Sequence, residues 1–265
     1  MKIGVLMKQV PDTETKIRIK DDASGIVTDG IKWVMNPYDE YAVEEALRIK
    51  EKKAGSTVTI ISMGPKRSVE AIRTGLAMGA DSGILIDDPA LEGADCYATA
   101  KTLAKVLEPE KFDLLLCGKQ AIDDDSAQVP QTVAELLGIP QAMVIEKLVI
   151  SDDGKKATCY RRIEGGAKEV LEVDLPAIIA AEKGLNEPRY ASLPGIMKAK
   201  SKPFKEINLG ALGLKAEEVG AKGAKLKVKK YSLPAEKAPG KIVPGEPEDA
   251  ARALVKMLRE EAKVV

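Results

Sequence analysis

The sequence predicts an α/β protein whose mostly parallel sheet carries helices on both faces, the doubly wound arrangement. Apolar runs rich in β-branched residues, such as TVTIISM at 57–63, alternate with segments that have helical periodicity. Glycines and prolines stand at the boundaries between these segments. A chain of 265 residues, 45% hydrophobic and 31% charged, is large enough to bury a core and has the composition of a globular protein.

The first half of the chain carries the strand–helix alternation. Asn36 before Pro37 is a helix-start signal, with acidic residues in the first turn, and Gly79 is suited to end a second helix. The predicted elements are a strand at 2–10, a short hairpin around Ile17, Ile19 and Ile26, a helix from Pro37 to before Gly55, a strand at 57–63, a helix at 68–78, a strand at 82–86, a helix at 95–107, a strand at 112–117 and a helix at about 128–137.

The pattern changes after Pro140. Short strands at 144–150, 157–162, 168–173 and 177–181, divided by Asp-Gly and Gly-Gly turns, predict a hairpin pair that extends the sheet. Beyond them, residues 201–244 are rich in Lys, Gly and Pro and predict an extended arm, and an amphipathic helix at 246–262 closes the chain. The expected organisation is an α/β domain at 1–183, a loop at 184–200, and an arm with a helix at 201–265.

Composition excludes several classes of function. The chain has no histidine, which removes Ser-His-Asp and Cys-His nucleophile pairs and most zinc sites. Lys+Arg and Asp+Glu are both 41, and only nine residues are aromatic, so nucleic-acid binding is not expected and the basic run at 222–230 is interpreted as solvated surface.

Other features indicate the compartment. Cys96, Cys117 and Cys159 are far apart and odd in number, as expected of buried thiols in a reducing compartment. Neither a signal peptide nor an apolar run of membrane-spanning length is visible in the sequence. We therefore expect a cytoplasmic protein that does not span a membrane.

The most informative candidate site is the loop at 118–129, after the fourth predicted strand. Nucleotides bind beyond the carboxyl ends of the strands in open α/β sheets, yet the sequence has neither of the common glycine-rich phosphate motifs. The helix start at Asp123–Val129 could hold a phosphate through backbone N–H groups, with Ser126 adding a hydroxyl. A capped helix start with acids in its first turn is the alternative, and spacing alone favours it. Three consecutive carboxylates do not share a face, so no metal cage is predicted.

Five segments together resemble one known family. They are KQVPD at 8–12, NPYDEYAVEEAL at 36–47, GKQAIDDDSAQ at 118–128, RRIEGG at 161–166 and LNEPRYASLPGIMKAK at 185–200. In this order and spacing they resemble the beta subunits of electron-transfer flavoproteins, and the resemblance covers almost the whole chain. It implies a sheet of the adenine-nucleotide α-hydrolase-like type and an obligate heterodimer with an alpha subunit that holds most of the FAD.

The resemblance also implies a structural AMP in this subunit. Its phosphate contacts would fall in Ala121–Val129, and its adenosine would lie near the first strand, the helix start and the second sheet strand. The implied cofactor-binding residues are Met7, Lys8, Asn36, Asp39, Met63, Ala121, Asp124, Ser126, Ala127, Gln128 and Val129. From the residues alone, Asn36 could equally be a helix cap and Lys8 could equally be exposed.

One subgroup of the family binds a second FAD in place of AMP, takes electrons from NADH and splits electron pairs. The sequence is mixed on this point. KQVPDT at 8–13 looks like that subgroup, but NPYDEYAVEEAL and the run of three aspartates look like the conventional pattern, since the subgroup usually has Gly where Asp124 stands. Asp124 adds bulk and negative charge where a larger cofactor would approach, so AMP is favoured.

The last implied feature is docking. Residues 185–200 resemble the loop that docks on acyl-CoA dehydrogenases in fatty acid β-oxidation, with a quinone reductase or similar acceptor downstream. The implied docking residues are Leu193, Pro194, Ile196, Met197 and Glu164, with Leu193 as the anchor and Glu164 near the FAD. Without the resemblance, a leucine packed into the chain's own core would be the preferred interpretation.

Two other classes of protein are alternatives. An ATP-using enzyme of the related fold would need a Ser-Gly-Gly-x-Asp-Ser loop after the first strand, and residues 8–12 lack it. A nucleotide-binding stress-type module would not explain residues 185–200 or the long C-terminal segment. Both alternatives predict a chain that is stable alone, and neither predicts redox chemistry carried by a bound flavin.

Overall fold

The structure, a computed structural model, describes residues 1–237 and 239–265. The chain divides into a large unit, Met1–Ile17 with Val27–Lys229, and a small unit, Arg18–Ile26 with Lys230–Val265. The strands, all in the large unit, are β1 (Lys2–Leu6), β2 (Gln9–Pro11), β3 (Trp33–Met35), β4 (Thr57–Met63), β5 (Ser82–Ile86), β6 (Leu114–Gly118), β7 (Gln141–Ile150), β8 (Lys156–Arg162), β9 (Lys168–Asp174), β10 (Ala177–Ala181) and β11 (Phe204–Ile207). The α-helices are α1 (Pro37–Lys52), α2 (Val69–Met78), α3 (Cys96–Glu110), α4 (Val129–Leu137), α5 (Leu193–Ala199), α6 (Leu209–Leu212), α7 (Gly220–Gly223) and, in the small unit, α8 (Pro247–Met257).

The large unit is built on one sheet with the order β11-β5-β4-β1-β6-β10-β7-β8-β9. Its strands are parallel from β11 to β7, and β7, β8 and β9 are antiparallel. The chain fills the sheet on one side of β1 with β4 and β5, and then crosses to the other side with β6. The gap between the ends of β1 and β6 is therefore the topological switch point, where open α/β sheets bind ligands.

Both faces of this sheet are covered by helices. On one face, Val5 and Ile60 pack with Ala46 of α1 and Ile72 of α2. The opposite face forms a second buried cluster, which includes residues of α3 and α4. Parallel strands buried on both faces read as continuous apolar runs, which is why the sequence pattern identified them. The predicted doubly wound α/β class is confirmed.

The predicted strand at 2–10 is wrong in its second half. β1 ends at Leu6, and β2 leaves the main sheet to pair with β3, which the sequence did not predict. The backbone explains the break, because the N–H of Lys8 donates to the side chain of Asp39 and its carbonyl accepts from the N–H of Asn36. The chain thus turns aside where the first helix meets the sheet. The predicted hairpin is reduced to one antiparallel bridge, Ile19 to Ile26, in the small unit.

The last predicted strand lies in a different place from the one expected. β10 does not extend a hairpin; it inserts between β6 and β7 and is parallel to both. All five of its residues, AIIAA, are buried, as in an interior parallel strand. The antiparallel hairpins formed by β7, β8 and β9 do extend the sheet as predicted, with Gly165 and Gly166 at positive φ in the second turn.

The extended arm predicted from residue 201 is wrong for its first part. β11 pairs in parallel with β5 at the sheet edge, and α6 and α7 follow it. Ile207, Leu209 and Val219 are buried, so apolar burial overrides the high Lys and Gly content. In the small unit, α8 continues into a π-helical turn at Leu258–Ala262, which matches the predicted helix. Within the two described ranges, no helix combines the length and apolarity needed to cross a membrane.

Candidate nucleotide-binding site

The carboxyl ends of β1 and β6 bring most of the predicted site residues together. Met7 and Lys8 follow β1, the loop at 119–128 follows β6, and Asn36 and Asp39 lie at the start of α1, which crosses this edge. Contacts between these three segments fix the loop in place. Met63 ends β4, the neighbour of β1 on the other side.

Asp39 joins the two strands at the switch point. Its carboxylate accepts the N–H of Lys8 at 2.8 Å and the N–H of Gly118 at 2.8 Å. Gly118 is required here, because a Cβ on it would lie 2.5 Å from Oδ1 of Asp39 and 2.6 Å from Cβ of Tyr38. Asp39 is only 5% exposed, so the strand ends are held by a nearly dry carboxylate. Burial raises the pKa of Asp39 to about 7, although the two N–H donors oppose the shift.

Asn36 holds the loop from the other side. Its Nδ2 donates to the carbonyl of Gln120 at 2.9 Å, and its Oδ1 accepts the N–H of Ile122 at 3.1 Å. No side-chain capping bond from Asn36 to α1 is present among the described residues, although the helix begins at Pro37 as predicted. The helix-cap interpretation of this side chain is therefore wrong. Asn36 is 1% exposed and acts as a fixed support for the loop.

Lys8 and the three consecutive aspartates form an ionic cluster at the loop surface. Nζ of Lys8 lies 2.7 Å from Asp123 and 3.1 Å from Asp124, whereas Asp125 accepts from Gln120 at 2.6 Å. Burial alone would lower the pKa of the Lys8 ammonium, but its contacts with Asp123 and Asp124 outweigh burial and raise it. Asp123 and Asp124 thus share one partner, and Asp125 has another. In the described part of the chain no set of carboxylate or thiol groups is arranged to hold a metal ion.

The start of α4 has the properties of an anion site. No side chain caps this helix, and no acidic residue lies in its first turn, so the capped-start alternative is wrong. Among the described residues, no acceptor takes the N–H groups of Ala127, Gln128 and Val129. Asp125 and Ala127 both have φ of +50°, an unfavourable conformation for residues with a side chain. Free N–H groups at a helix start, together with the helix dipole, favour a phosphate.

The neighbouring ends of β1 and β4 supply a more apolar wall. Met7 is buried and Met63 is half-buried. Two buried polar atoms on adjacent segments, Oγ of Ser62 and Oε1 of Gln9, have no hydrogen-bond partner within the described residues. Buried polar atoms are normally paired, so these two are suited to a bound polar group or an ordered water. Apolar contacts beside hydrogen-bonding groups and an anion site are what an adenine nucleotide requires.

The docking segment, residues 185–200, presents apolar side chains. Tyr190 is 98% exposed, Leu193 73% and Met197 70%, and Ile196 and Pro194 are also exposed. Residues 193–199 form α5, with Ser192 capping its start through the N–H of Gly195. The interpretation that Leu193 packs into the chain's own core is therefore wrong.

The turn between β8 and β9 carries the remaining predicted residue, Glu164. It is exposed, and within the described ranges it has no ion-pair partner. The adjacent arginines are already paired, Arg161 with Glu169 and Arg162 with Glu146. Of the cysteines, the structure buries Cys117 and Cys159 but leaves Cys96 half-buried at the start of α3, so the expectation of three buried thiols holds for two.

Known proteins match this chain closely. A family model described as "Electron transfer flavoprotein domain" matches residues 24–212. The electron transfer flavoprotein subunit beta of Bacillus subtilis is 44% identical over 266 residues and covers 100% of both chains. This chain belongs to the family of electron transfer flavoprotein beta subunits. The Bradyrhizobium diazoefficiens subunit is 45% identical over 266 residues with the same coverage, and the Homo sapiens subunit is 47% identical over 216 residues, 81% of this chain and 84% of its own.

The beta-subunit family that the five sequence segments predicted is therefore confirmed. Some functional residues of this beta subunit were not predicted. Gly118 opens the segment GKQAIDDDSAQ, but its structural role appears only in the close approach of α1. Glu44 and Glu45 were a signal in the sequence, because they are consecutive acids in a helix with an apolar stripe. The structure buries both on α1, and buried acids need partners. Their partners, Arg189 and Asn186, lie in the docking segment.

Proposed function

We propose that this chain is the beta subunit of a heterodimeric electron-transfer flavoprotein that carries electrons from acyl-CoA dehydrogenase-type flavoenzymes to a quinone reductase or similar acceptor. An alpha subunit holds most of the FAD, which when bound supplies the electron-transfer chemistry. The chain's own role is to hold an AMP, support the partner subunit and present a docking surface. The observation that carries the proposal is the uncapped start of α4, with its free N–H groups, at the switch point of a chain of this family.

The AMP part of the proposal assigns contacts to residues of the site. The N–H groups of Ala127, Gln128 and Val129 and the hydroxyl of Ser126 would hold the phosphate, and Lys8 would balance its charge. The remaining contacts, to the adenosine, would come from Met7, Met63 and Ala121, while Asn36 and Asp39 hold the loop and the strand ends in place. The unpaired N–H groups support this fit.

A single phosphate is favoured over a second FAD by the charge of the loop. Asp123, Asp124 and Asp125 are exposed at its surface, and Lys8 is the lysine that pairs with two of them. A longer cofactor would bring a second phosphate and its flavin past these carboxylates, which repel it and occupy space. The electron-splitting alternative, with NADH as donor, would require that loop to open.

The docking part of the proposal makes a direct prediction. In the purified heterodimer, Leu193→Ala should raise the KM for an acyl-CoA dehydrogenase donor by about tenfold, because loss of one buried apolar anchor commonly weakens a complex by more than 1 kcal/mol. FAD content should stay at one per heterodimer. The measurement is the rate of flavin reduction as a function of donor concentration.

Leu226→Ala is the matched control, since Leu226 is 69% exposed but lies outside the docking segment. It should leave the KM unchanged. A Leu193→Ala heterodimer with the wild-type KM and full flavin content would remove the docking role from this segment.

A further inference from the structure

We propose that Arg189 is a positioning residue for electron transfer: it locks the docking segment onto α1 through Glu44 and Glu51, so that the apolar docking face is formed before the donor arrives. The inference rests on the proposed docking function and deepens it, because it names the residues that set the conformation of the segment.

The contacts of Arg189 are unusually complete for a surface loop. Its Nε and Nη2 donate to the two oxygens of Glu44, at 2.7 and 2.9 Å, and its Nη1 donates to Glu51 at 2.5 Å. The backbone N–H of Arg189 also donates to Glu44, at 3.2 Å. A bidentate arginine–carboxylate pair fixes orientation as well as distance, which one ammonium group cannot do.

The burial of Glu44 makes this pair more than a surface contact. The Glu44 side chain is 6% exposed and the Arg189 side chain is 34% exposed. An ion pair in this setting is poorly screened, and a buried carboxylate that loses its partner is destabilised. The hydrogen bonds to Glu44 and Glu51 also raise the pKa of the Arg189 guanidinium above its usual range.

A second contact between the docking segment and α1 lies three residues earlier in the chain. Nδ2 of Asn186 donates to the carbonyl of Tyr41 at 3.0 Å and to Oε2 of Glu45 at 3.0 Å. Glu45 is 8% exposed. Two adjacent buried acids of one helix thus hold two positions of the docking segment, which accounts for charged residues on an otherwise apolar helix face.

The other end of the segment is fixed on α2. A Cβ on Gly195 would lie 2.3 Å from the carbonyl oxygen of Ala77, so α5 approaches the end of α2 as closely as backbone allows. Beyond α5, Nζ of Lys202 donates to the carbonyls of Leu76 and Ala80 at 2.8 and 2.5 Å. The segment is therefore held at both ends, and Leu193 and Met197 lie between the supports.

These contacts matter for docking because they order the docking segment before the donor binds. A loop that must be ordered on binding loses affinity, whereas a loop held in its bound conformation does not. Arg189 contributes no apolar surface to the exposed face, so its effect on the donor is indirect. It should change how tightly the donor binds and leave the rate within the bound complex almost unchanged.

The test uses the purified heterodimer with its FAD, reduced by medium-chain acyl-CoA dehydrogenase and octanoyl-CoA. Arg189→Ala should raise the KM for the dehydrogenase about tenfold, with the maximal rate within about twofold of wild type. Amide hydrogen exchange should accelerate in residues 185–200 and stay unchanged in β1, β4 and β6. A positioning role predicts faster exchange in the docking segment alone, whereas general unfolding would accelerate exchange in the sheet as well.

If Arg189→Ala yields little heterodimer, milder variants test the same contacts. Glu51→Ala removes only the outer contact and should raise the KM by a smaller factor, and Arg189→Lys should fall between wild type and Arg189→Ala. Arg252→Ala, which breaks an exposed pair with Glu248 on α8, is the control and should have no effect. An unchanged KM in Arg189→Ala beside a raised KM in Leu193→Ala would overturn the positioning role alone; an unchanged KM in both would overturn docking itself.

Discussion

At the scale of single residues, the polar side chains of the candidate site mostly serve the backbone. Asn36 and Asp39 use their oxygens on N–H groups of the loop, of Lys8 just after β1, and of Gly118 in β6. The groups left free to meet a ligand are backbone N–H groups and the hydroxyl of Ser126. On the proposed function, such a site would bind and orient a nucleotide mainly through backbone groups, and the bound flavin of the complex would supply the redox chemistry.

The buried carboxylate of Asp39 predicts a pH dependence. Its pKa is about 7 in the folded chain against an ordinary 3.8, so the folded state binds an extra proton between these values. The free energy of unfolding therefore falls as pH rises from about 4 to 7, by at most about 1.4 kcal/mol per pH unit, and levels off above about pH 8. Asp39→Asn cannot titrate and should lack this fall.

The measurement is denaturant unfolding of the purified heterodimer from pH 5 to 8. The stability of Asp39→Asn relative to wild type should improve as pH rises, on top of a constant loss from one replaced hydrogen-bond acceptor. Asp153→Asn is the control, because hydrogen bonds from Ser151 and Lys155 lower the pKa of Asp153 and place its titration below the window. A constant difference between Asp39→Asn and wild type across the range would show that Asp39 does not titrate there.

At the scale of elements, the position of α5 depends on its close approach to α2. Gly195 lies against the backbone of Ala77, so Gly195→Ala should push α5 away and cost about 1–3 kcal/mol, as overpacking does. The heterodimer should melt at a lower temperature and show a raised KM for the donor dehydrogenase. Thermal melting checks the loss of stability, and titration with the donor checks the rise in KM.

Gly210→Ala is the matched control, since a Cβ there would meet only Oδ1 of Asn208, at an ordinary 3.5 Å. Alanine also has the better helix propensity, so this variant should be neutral or slightly stabilising. Equal melting temperatures for the two glycine variants would contradict the close packing of α5.

The elements also show what the sequence can and cannot establish. Local patterns predicted α1, α4 and the central parallel strands, because their apolar periodicity and boundary residues are local signals. The insertion of β10 between β6 and β7, and the return of β11 to the sheet edge, are long-range pairings that no local pattern encodes. The loop at 118–129 was located correctly, yet the role of Asn36 emerged only from contacts across 84 and 86 positions of sequence.

At the scale of the whole molecule, one helix contacts both of the proposed functional regions. The first turn of α1 supports the nucleotide loop, and its middle and end hold the docking segment through Glu44 and Glu51. A nucleotide at the switch point would therefore stabilise the same helix that positions the docking face. On the proposed function, this helix would couple nucleotide binding to the conformation of the docking segment.

The most direct test of this account is the nucleotide content of the heterodimer. The chain is co-expressed with its alpha subunit, the purified complex is denatured, and the released nucleotides are separated and quantified. The account predicts one FAD and one AMP per heterodimer, with AMP lost when the loop at 118–129 is disrupted. Two FAD per heterodimer, or a folded complex without any adenine nucleotide in this subunit, would contradict it.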